Sequence, residues 1–149
     1  PVAQDYITRL LNHLNYVGVL TLELFVTEQG LFANEMACRV HNSGHWSIEG
    51  AVCSQFENHI RAVAGLPLGS TEVIRPTVMI NIIGQHPKSE AVLALNGAHL
   101  HLYNKSERTG RKLGHITLMP NNSDELTDLC RQLAKILPVP LALTTDMNI

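Results

Sequence analysis

The sequence predicts an α+β protein in two parts. Dense runs of β-branched and other apolar residues indicate strands, and apolar residues spaced three and four apart indicate helices. The first part combines a hairpin signal with helix signals, whereas the second part is smaller and rich in strand signals. The segment GLPLGS at residues 65–70 is the clearest interruption between them, so we predict domains at 1–65 and 66–149.

The first part is predicted to begin with a helix followed by a β-hairpin. Apolar residues recur at helical spacing over residues 3–14. Residues 16–26 and 31–40 are two apolar runs that predict strands, and the TEQG segment between them indicates a hairpin loop. Gly30 can supply the positive φ that such a loop needs.

The remaining elements follow from the same periodicities. Apolar residues three and four apart predict an amphipathic helix over residues 48–64. Asn122 and Ser123 predict the start of a last helix, in which Glu125 stands at the capping-box position, and Pro138 ends it. This helix is predicted over residues 124–137. The predicted strands of the second part are residues 77–84, 98–105 and 113–119.

Composition narrows the class of function. A net charge of −2 gives no electrostatic basis for binding nucleic acid or an anionic membrane. There is neither an apolar run of about eighteen residues nor a secretory signal pattern, so no membrane span is expected. Cys38, Cys53 and Cys130 are widely separated, which favours neither a disulfide framework nor a cysteine zinc site. We therefore expect a cytoplasmic protein.

Two carboxylates are predicted to face each other across the hairpin. With a three-residue loop, Thr27 opposes Leu31 and Glu23 opposes Glu35. Opposed like charges are destabilising, and a hard divalent cation such as Mg²⁺ would relieve them. A four-residue loop would instead bring Asn34, another oxygen ligand, opposite Glu23. The alternative to a metal site is that either glutamate simply points to solvent from the open face of the sheet.

Polar side chains crowd the segment RVHNSGHWSIEG between the second strand and the next helix. Arg39 offers a planar fork for a carboxylate or phosphate, Trp46 offers a flat face, and His41 and Asn42 lie between them. His41 and His45 have the spacing of a helical zinc pair, but Asn42, Ser43 and Gly44 disfavour a helix. The other interpretation is a capped loop whose histidines bond backbone groups.

A basic segment lies between the last two predicted strands. Its cations fall within eight residues around Gly110: Lys105, Arg108, Arg111 and Lys112. In a chain of negative net charge, this segment is either a phosphate site or a solvated turn. His99 and His101 share one face of the preceding strand, and the sequence does not decide whether they belong to a site.

These residues stand in strings that closely resemble the 5-(carboxyamino)imidazole ribonucleotide synthases, an ATP-grasp family of purine biosynthesis. The resemblance covers about residues 16–138 and is most specific at HNSGHW, residues 41–46, and at GRKLGH, residues 110–115. It implies that residues 1–65 are the C-terminal half of an ATP-grasp domain and that 66–149 form a small β-rich domain. It also implies that ATP activates bicarbonate as carboxyphosphate, which carboxylates the amine of aminoimidazole ribonucleotide.

The resemblance also implies a role for each candidate residue. Glu23 and Glu35 would hold Mg²⁺ beneath the ATP phosphates, with Asn34 in the same nucleotide-binding strand. Arg39 and His41 would be catalytic, because a positioned guanidinium stabilises charge on a transferring phosphoryl group. The residues expected around the aminoimidazole and the bicarbonate-derived group are Arg39, His41, Asn42 and Trp46. Those expected on the ribonucleotide phosphate are Lys105, Arg111 and Lys112.

The chain departs from the family pattern in two ways. Cys38 and Thr109 stand where relatives usually have proline, which concerns backbone rigidity only. The chain also matches only the C-terminal part of the family, and it has no glycine-rich phosphate loop. We therefore expect a fragment that is inactive without the N-terminal part of the same enzyme and that forms homodimers when complete. The alternatives are a non-enzymatic module that binds nucleotide phosphates and a zinc hydrolase that uses His41 and His45.

Overall fold

The computed structural model describes residues 1–139 and divides the chain into two compact units. The first unit is Pro1–Ile74, and the second begins at Arg75. The predicted boundary after residue 65 differs from this division because residues 70–74 fold back onto the first unit. The Val52 N–H donates to the Glu72 carbonyl at 3.0 Å, and the Ile74 N–H donates to the Gly50 carbonyl at 2.8 Å. The α+β class is confirmed.

The first unit contains helices and one two-stranded antiparallel sheet. Its elements are α1 (Val2–Leu14), β1 (Thr21–Thr27), β2 (Gly30–Ala37), a 3₁₀ turn (Asn42–Gly44), α2 (Ser47–Gly50) and α3 (Gln55–Val63). Asn15 ends α1 in the left-handed conformation, with φ of 47°. The segment before β1 is tied to α3, since the Val19 N–H donates to His59 Nδ1 at 2.9 Å.

The hairpin confirms the predicted facing of Glu23 and Glu35 but not the predicted loop. Thr27 pairs with Gly30, so the connection is a two-residue turn at positions 28 and 29. A bulge then shifts the register between Glu23 and Leu24 and leaves Asn34 as the extra residue on β2. The shorter turn and the bulge cancel, and Glu23 pairs with Glu35.

The single helix predicted over residues 48–64 is wrong. The chain instead forms α2, an extended segment from Ala51 to Ser54, and then α3. Ala51 bridges Val73 in antiparallel fashion, and the Cys53 N–H donates to the Ser70 carbonyl at 2.9 Å. These pairings replace the helical ones, and the Ser54 side chain caps α3 by accepting from the Glu57 N–H.

The second unit packs two helices on a three-stranded antiparallel sheet of order β3-β5-β4. Its elements are β3 (Val78–Ile83), α4 (Ser89–Leu93), β4 (Ala98–Leu102), β5 (Lys112–Leu118) and α5 (Ser123–Ile136). The sequence did not predict α4, which is only five residues long. Ile82, Ile116 and Leu118 from the sheet pack with Val92 of α4 and Leu133 of α5 in a closed core.

The start of α5 confirms the predicted cap in a modified form. The Asn122 side chain accepts from the Glu125 N–H at 2.9 Å. The Glu125 carboxylate accepts from the N–H of Asn121 at 2.7 Å, one residue earlier than in a standard capping box. Two backbone donors near the helix start are therefore satisfied. In residues 1–139, no helix has the length and apolar character needed to cross a membrane.

Candidate functional site

Glu23 and Glu35 bring two carboxylates together on the hairpin. The two residues are a direct cross-strand pair. Ligand atoms of Glu23, Glu35 and His41 all lie within 4.8 Å of one another, the one such group of three that the described chain contains. Two carboxylates can hold a hard divalent cation, with His41 close enough to position one of them. The donor set therefore fits the Mg²⁺ that the family resemblance implies.

The bulge at Asn34 places an amide beside Glu23. The Asn34 Nδ2 donates to Glu23 Oε2 at 3.3 Å. A regular strand would have directed this side chain to the opposite face from that of Glu35. The bulge therefore recruits Asn34 to the carboxylate pair, where its amide orients the carboxylate of Glu23.

His41 contacts the other oxygen of Glu23. Its Nε2 lies 3.0 Å from Glu23 Oε1, and its side chain is only 12% exposed. Its Nδ1 faces the Ser43 backbone N–H at 3.3 Å and the Ser43 hydroxyl at 2.8 Å. A backbone N–H can only donate, so Nδ1 accepts and the neutral ring carries its proton on Nε2. His41 therefore donates to Glu23, and both carboxylate oxygens of Glu23 have a donor.

The loop that carries His41 is held by side chains of its own and of α3. The Gln55 amide bonds both backbone groups of His41, and the Ser47 hydroxyl donates to the Gly44 carbonyl at 2.5 Å. A Cβ at Gly44 would lie 2.6 Å from Gln55 Oε1, so a side chain there would displace the Gln55 amide. The sequence missed Gln55, because the helix predicted over residues 48–64 placed it in a helix interior with no sign of a contact to the His41 loop.

The zinc alternative finds no support in this loop. His45 is not part of the group formed by Glu23, Glu35 and His41. Its Nδ1 instead lies 2.8 Å from Gln55 Nε2, and its ring lies against Phe56 with centroids 5.1 Å apart. Asn42–Gly44 form a 3₁₀ turn, and the two histidines on either side of it contact different partners.

Arg39, Asn42 and Trp46 lie on the same segment as His41. Arg39 is exposed, and its guanidinium donates to the Val40 carbonyl at 3.0 Å. The side-chain oxygen of Asn42 is buried without a hydrogen-bond partner in the structure. A buried acceptor of this kind is costly unless a ligand or water donates to it. Trp46 is half-buried and lies directly before α2.

The basic residues belong to the second unit. Lys105 is exposed, with its Nζ 5.3 Å from the centre of the Tyr103 ring. Arg111 and Lys112 are half-buried at the start of β5, and Arg111 donates to the Ser106 hydroxyl at 3.2 Å. The one acid in this segment, Glu107, accepts from the His86 N–H at 2.7 Å, and this bond lowers the pKa of Glu107.

Tyr103, the aromatic residue beside Lys105, is supported by His115 of β5. The Tyr103 hydroxyl lies 2.7 Å from His115 Nδ1, and burial raises the pKa of Tyr103, so the hydroxyl stays protonated. The His101 ring stacks on His115 with centroids 4.4 Å apart, whereas His99 is exposed. His101 is therefore half-buried in a ring stack that supports the sheet face beneath Tyr103.

Two family profiles match the chain in sequence order. The ATP-grasp domain matches residues 2–56, and the phosphoribosylaminoimidazole carboxylase C-terminal domain matches residues 77–128. The first match lies within the first compact unit and the second match within the second. The carboxylate pair thus lies in the part that matches the ATP-grasp domain, and the basic segment lies in the part that matches the carboxylase C-terminal domain.

The chain is similar in sequence to proteins described as N5-carboxyaminoimidazole ribonucleotide synthases. The N5-carboxyaminoimidazole ribonucleotide synthase of Pseudomonas aeruginosa is 58% identical over 117 residues, which are 78% of this chain and 32% of the relative. The synthase of Escherichia coli K12 is 46% identical over 136 residues, 91% of this chain and 38% of the relative. The chain therefore spans about a third of the length of these relatives.

Solved structures with the same fold agree with this. The N5-carboxyaminoimidazole ribonucleotide synthetase of Thermus thermophilus superposes with a TM-score of 0.87 at 50% identity, over 95% of this chain and 39% of that one. The Aspergillus clavatus synthase, solved with ADP and 5-aminoimidazole ribonucleotide, has a TM-score of 0.69 at 38% identity, over 79% and 34%. By sequence and by fold, the chain belongs to the N5-carboxyaminoimidazole ribonucleotide synthase family of ATP-grasp proteins, whose C-terminal part it matches.

Proposed function

We propose that this chain supplies the metal carboxylates and part of the second-substrate site of an ATP-dependent ligase. The ligase carboxylates 5-aminoimidazole ribonucleotide with bicarbonate, through carboxyphosphate, and releases ADP and phosphate. The observation that carries the proposal is the cross-strand pair of Glu23 and Glu35, in which Glu35 lies on β2, the strand that leads into the His41 loop. A cytoplasmic location and a homodimeric assembly belong to the same proposal.

Glu23 and Glu35 are the proposed ligands of Mg²⁺. This ion takes one or two protein carboxylates and completes its shell with water and substrate phosphates. Bound Mg²⁺ would neutralise charge on the phosphoryl group that ATP transfers. His41 and Asn34 hold one carboxylate oxygen of Glu23 each, so Glu23 keeps a single orientation toward the cation.

The loop after β2 is proposed to receive the aminoimidazole and the bicarbonate-derived group. Arg39 is exposed and can turn its fork toward a carboxylate or a phosphoryl oxygen. The unpartnered Asn42 oxygen is a buried acceptor that fits an N–H or O–H donor of the substrate. Trp46 offers a flat face to the imidazole ring. These groups position the amine for attack on the activated carboxyl carbon.

The basic segment of the second unit is proposed to bind the phosphate of the ribonucleotide. Lys105, Arg111 and Lys112 supply three positive charges in a chain of net charge −2. Glu107, whose carboxylate accepts from His86, offsets only one of the four positive charges in the segment, which also includes Arg108. Arginine binds phosphate with two parallel hydrogen bonds, and lysine adds a point charge.

A second candidate is a module that binds nucleotide phosphates without catalysis. It is favoured by one observation, namely that the basic segment lies in a compact unit of its own. This candidate requires no cation at Glu23 and Glu35. Metal binding therefore separates the two candidates.

The first prediction concerns the carboxylate pair. Glu35→Gln should weaken binding of Mn²⁺, used as a probe for Mg²⁺, by about tenfold or more, because one of two carboxylate ligands is lost. Isothermal titration of the 149-residue chain measures this affinity. Glu28→Gln is the matched control, since Glu28 lies in the exposed turn of the same hairpin and should leave the affinity unchanged. Equal affinities in all three proteins would contradict the metal assignment.

The second prediction concerns turnover. The 149-residue chain should not consume ATP alone, because it has no glycine-rich phosphate loop. Adding the N-terminal part of the Pseudomonas aeruginosa relative should restore ADP release that depends on aminoimidazole ribonucleotide. Glu23→Gln should lower this restored rate by about 100-fold or more, since charge stabilisation is lost. Turnover by the chain alone would contradict the proposal.

The third prediction concerns the basic segment. Arg111→Ala and Lys105→Ala should each weaken binding of aminoimidazole ribonucleotide by about tenfold, the cost of one charge-assisted contact. Equilibrium dialysis of the chain against the ribonucleotide gives the dissociation constants. Arg131→Ala removes an exposed arginine from α5 of the same unit and should have no effect. Unchanged binding in the first two variants would remove the segment from this role.

A further inference from the structure

Gln55 stands at the first position of α3, outside the residues assigned to the site so far. Its side-chain amide makes three hydrogen bonds to the loop that precedes it. Oε1 accepts from the His41 N–H at 2.9 Å, and Nε2 donates to the His41 carbonyl at 2.7 Å. The same Nε2 lies 2.8 Å from His45 Nδ1. One half-buried side chain thus bonds the backbone of one histidine and the ring of another.

The chemistry of the partners determines the orientation of this amide. The His41 N–H can only donate and the His41 carbonyl can only accept, so only one orientation satisfies both. The second hydrogen of Nε2 then points at His45 Nδ1, which accepts it. A glutamate at this position could accept from the His41 N–H, but it could not donate to the other two groups.

The backbone N–H of Gln55 is also bonded to the loop, through Ser47. The Gln55 N–H donates to the Ser47 hydroxyl at 3.0 Å, and this hydroxyl donates to the Gly44 carbonyl. Gly44 passes so close to the Gln55 amide that a Cβ would meet it at 2.6 Å. The loop from His41 to Ser47 therefore wraps around one side chain.

The His41 ring connects the loop held by Gln55 to the carboxylate pair. The two bonds from Gln55 immobilise the His41 backbone, and His41 Nε2 donates to Glu23 Oε1 at 3.0 Å. We infer that Gln55 is a positioning residue of the site: it holds His41 where its ring orients the Glu23 carboxylate. The inference rests on the proposed function, in which Glu23 is a metal ligand.

The same helix contains a natural comparison for Gln55. Asn58 also bonds both backbone groups of one residue, since its Oδ1 accepts from the Gly69 N–H at 2.8 Å and its Nδ2 donates to the Gly69 carbonyl at 3.2 Å. It holds the segment after α3 rather than the His41 loop. Removal of either side-chain amide takes two hydrogen bonds to a backbone away from α3. Only the bonds of Gln55 go to His41, the residue that contacts Glu23.

The test compares Gln55→Ala, Gln55→Glu and Asn58→Ala in the 149-residue chain. NMR measures exchange of the His41 amide hydrogen and the ¹⁵N signals of the His41 and His45 rings, and Mn²⁺ titration measures the cation site. Gln55→Ala should speed His41 amide exchange by about tenfold, since a neutral hydrogen bond is lost. It should also abolish the acceptor signature of His45 Nδ1 and weaken Mn²⁺ binding by about tenfold.

The other variants make the test specific. Gln55→Glu should restore slow exchange of the His41 amide, because its carboxylate accepts from that N–H, and it should not restore the neutral acceptor signature of His45. Asn58→Ala should leave the ring signals, the His41 exchange and the Mn²⁺ affinity at their original values. The same changes in Asn58→Ala as in Gln55→Ala would overturn the inference, because general loosening of α3 would then explain both.

The outcomes also separate this inference from the proposed function. An original chain that binds no Mn²⁺ while Gln55→Ala disturbs the His41 loop would overturn the metal site and support Gln55 as the residue that orders the loop. An original chain that binds Mn²⁺, with Gln55→Ala unchanged in affinity and ring signals, would overturn the inference about Gln55. The proposed metal site would stand in that case.

Discussion

Two carboxylates that face each other across a two-stranded hairpin determine which side chains the neighbouring bulge and loop must place beside them. Glu23 and Glu35 are direct cross-strand partners, and like charges in such positions repel unless something positive or hydrogen-donating lies between them. The bulge at Asn34 and the loop at His41 each bring a donor to Glu23. The irregular parts of this unit are therefore the parts that make the carboxylate pair compatible with folding.

The sequence predicted the elements better than it predicted their details. It placed Glu23 opposite Glu35, because the period of a strand is two residues and the hairpin was recognisable. Its three-residue loop was wrong, since a two-residue turn followed by a bulge produces the same pairing. Periodicity counts residues and cannot distinguish these two arrangements. The helix over residues 48–64 failed for another reason, because the segment at Ala51 pairs with a chain segment about twenty residues later.

The sequence predicted which residues belong to the site but not which hydrogen bonds they make. Resemblance to a family placed Arg39, His41, Asn42 and Trp46 around a second substrate, a role that remains a prediction. The bond from His41 to Glu23 depends on the conformation of a loop of glycine, serine and asparagine, which has no periodicity to read. Gln55 was missed for the same reason, since its partners are backbone groups of that loop.

Exposed apolar side chains on the hairpin match the expectation of an incomplete ATP-grasp domain. Val26 is 84% exposed and Phe25 is 57% exposed, and α1 buries none of its residues. Apolar surface of this kind is usual where another protein surface packs. The chain spans about a third of its curated relatives, and in our proposal their N-terminal part covers this face.

In the proposed site, Glu23 and Glu35 hold one cation, and the His41 ring lies beside it because it bonds Glu23. This arrangement is tested most directly by adding substoichiometric Mn²⁺ to the chain and recording NMR signals of its eight histidines. Paramagnetic broadening should affect His41 first, because its Nε2 lies 3.0 Å from Glu23 Oε1. Equal broadening of His41 and the exposed His13, or broadening that spares His41, would contradict this arrangement.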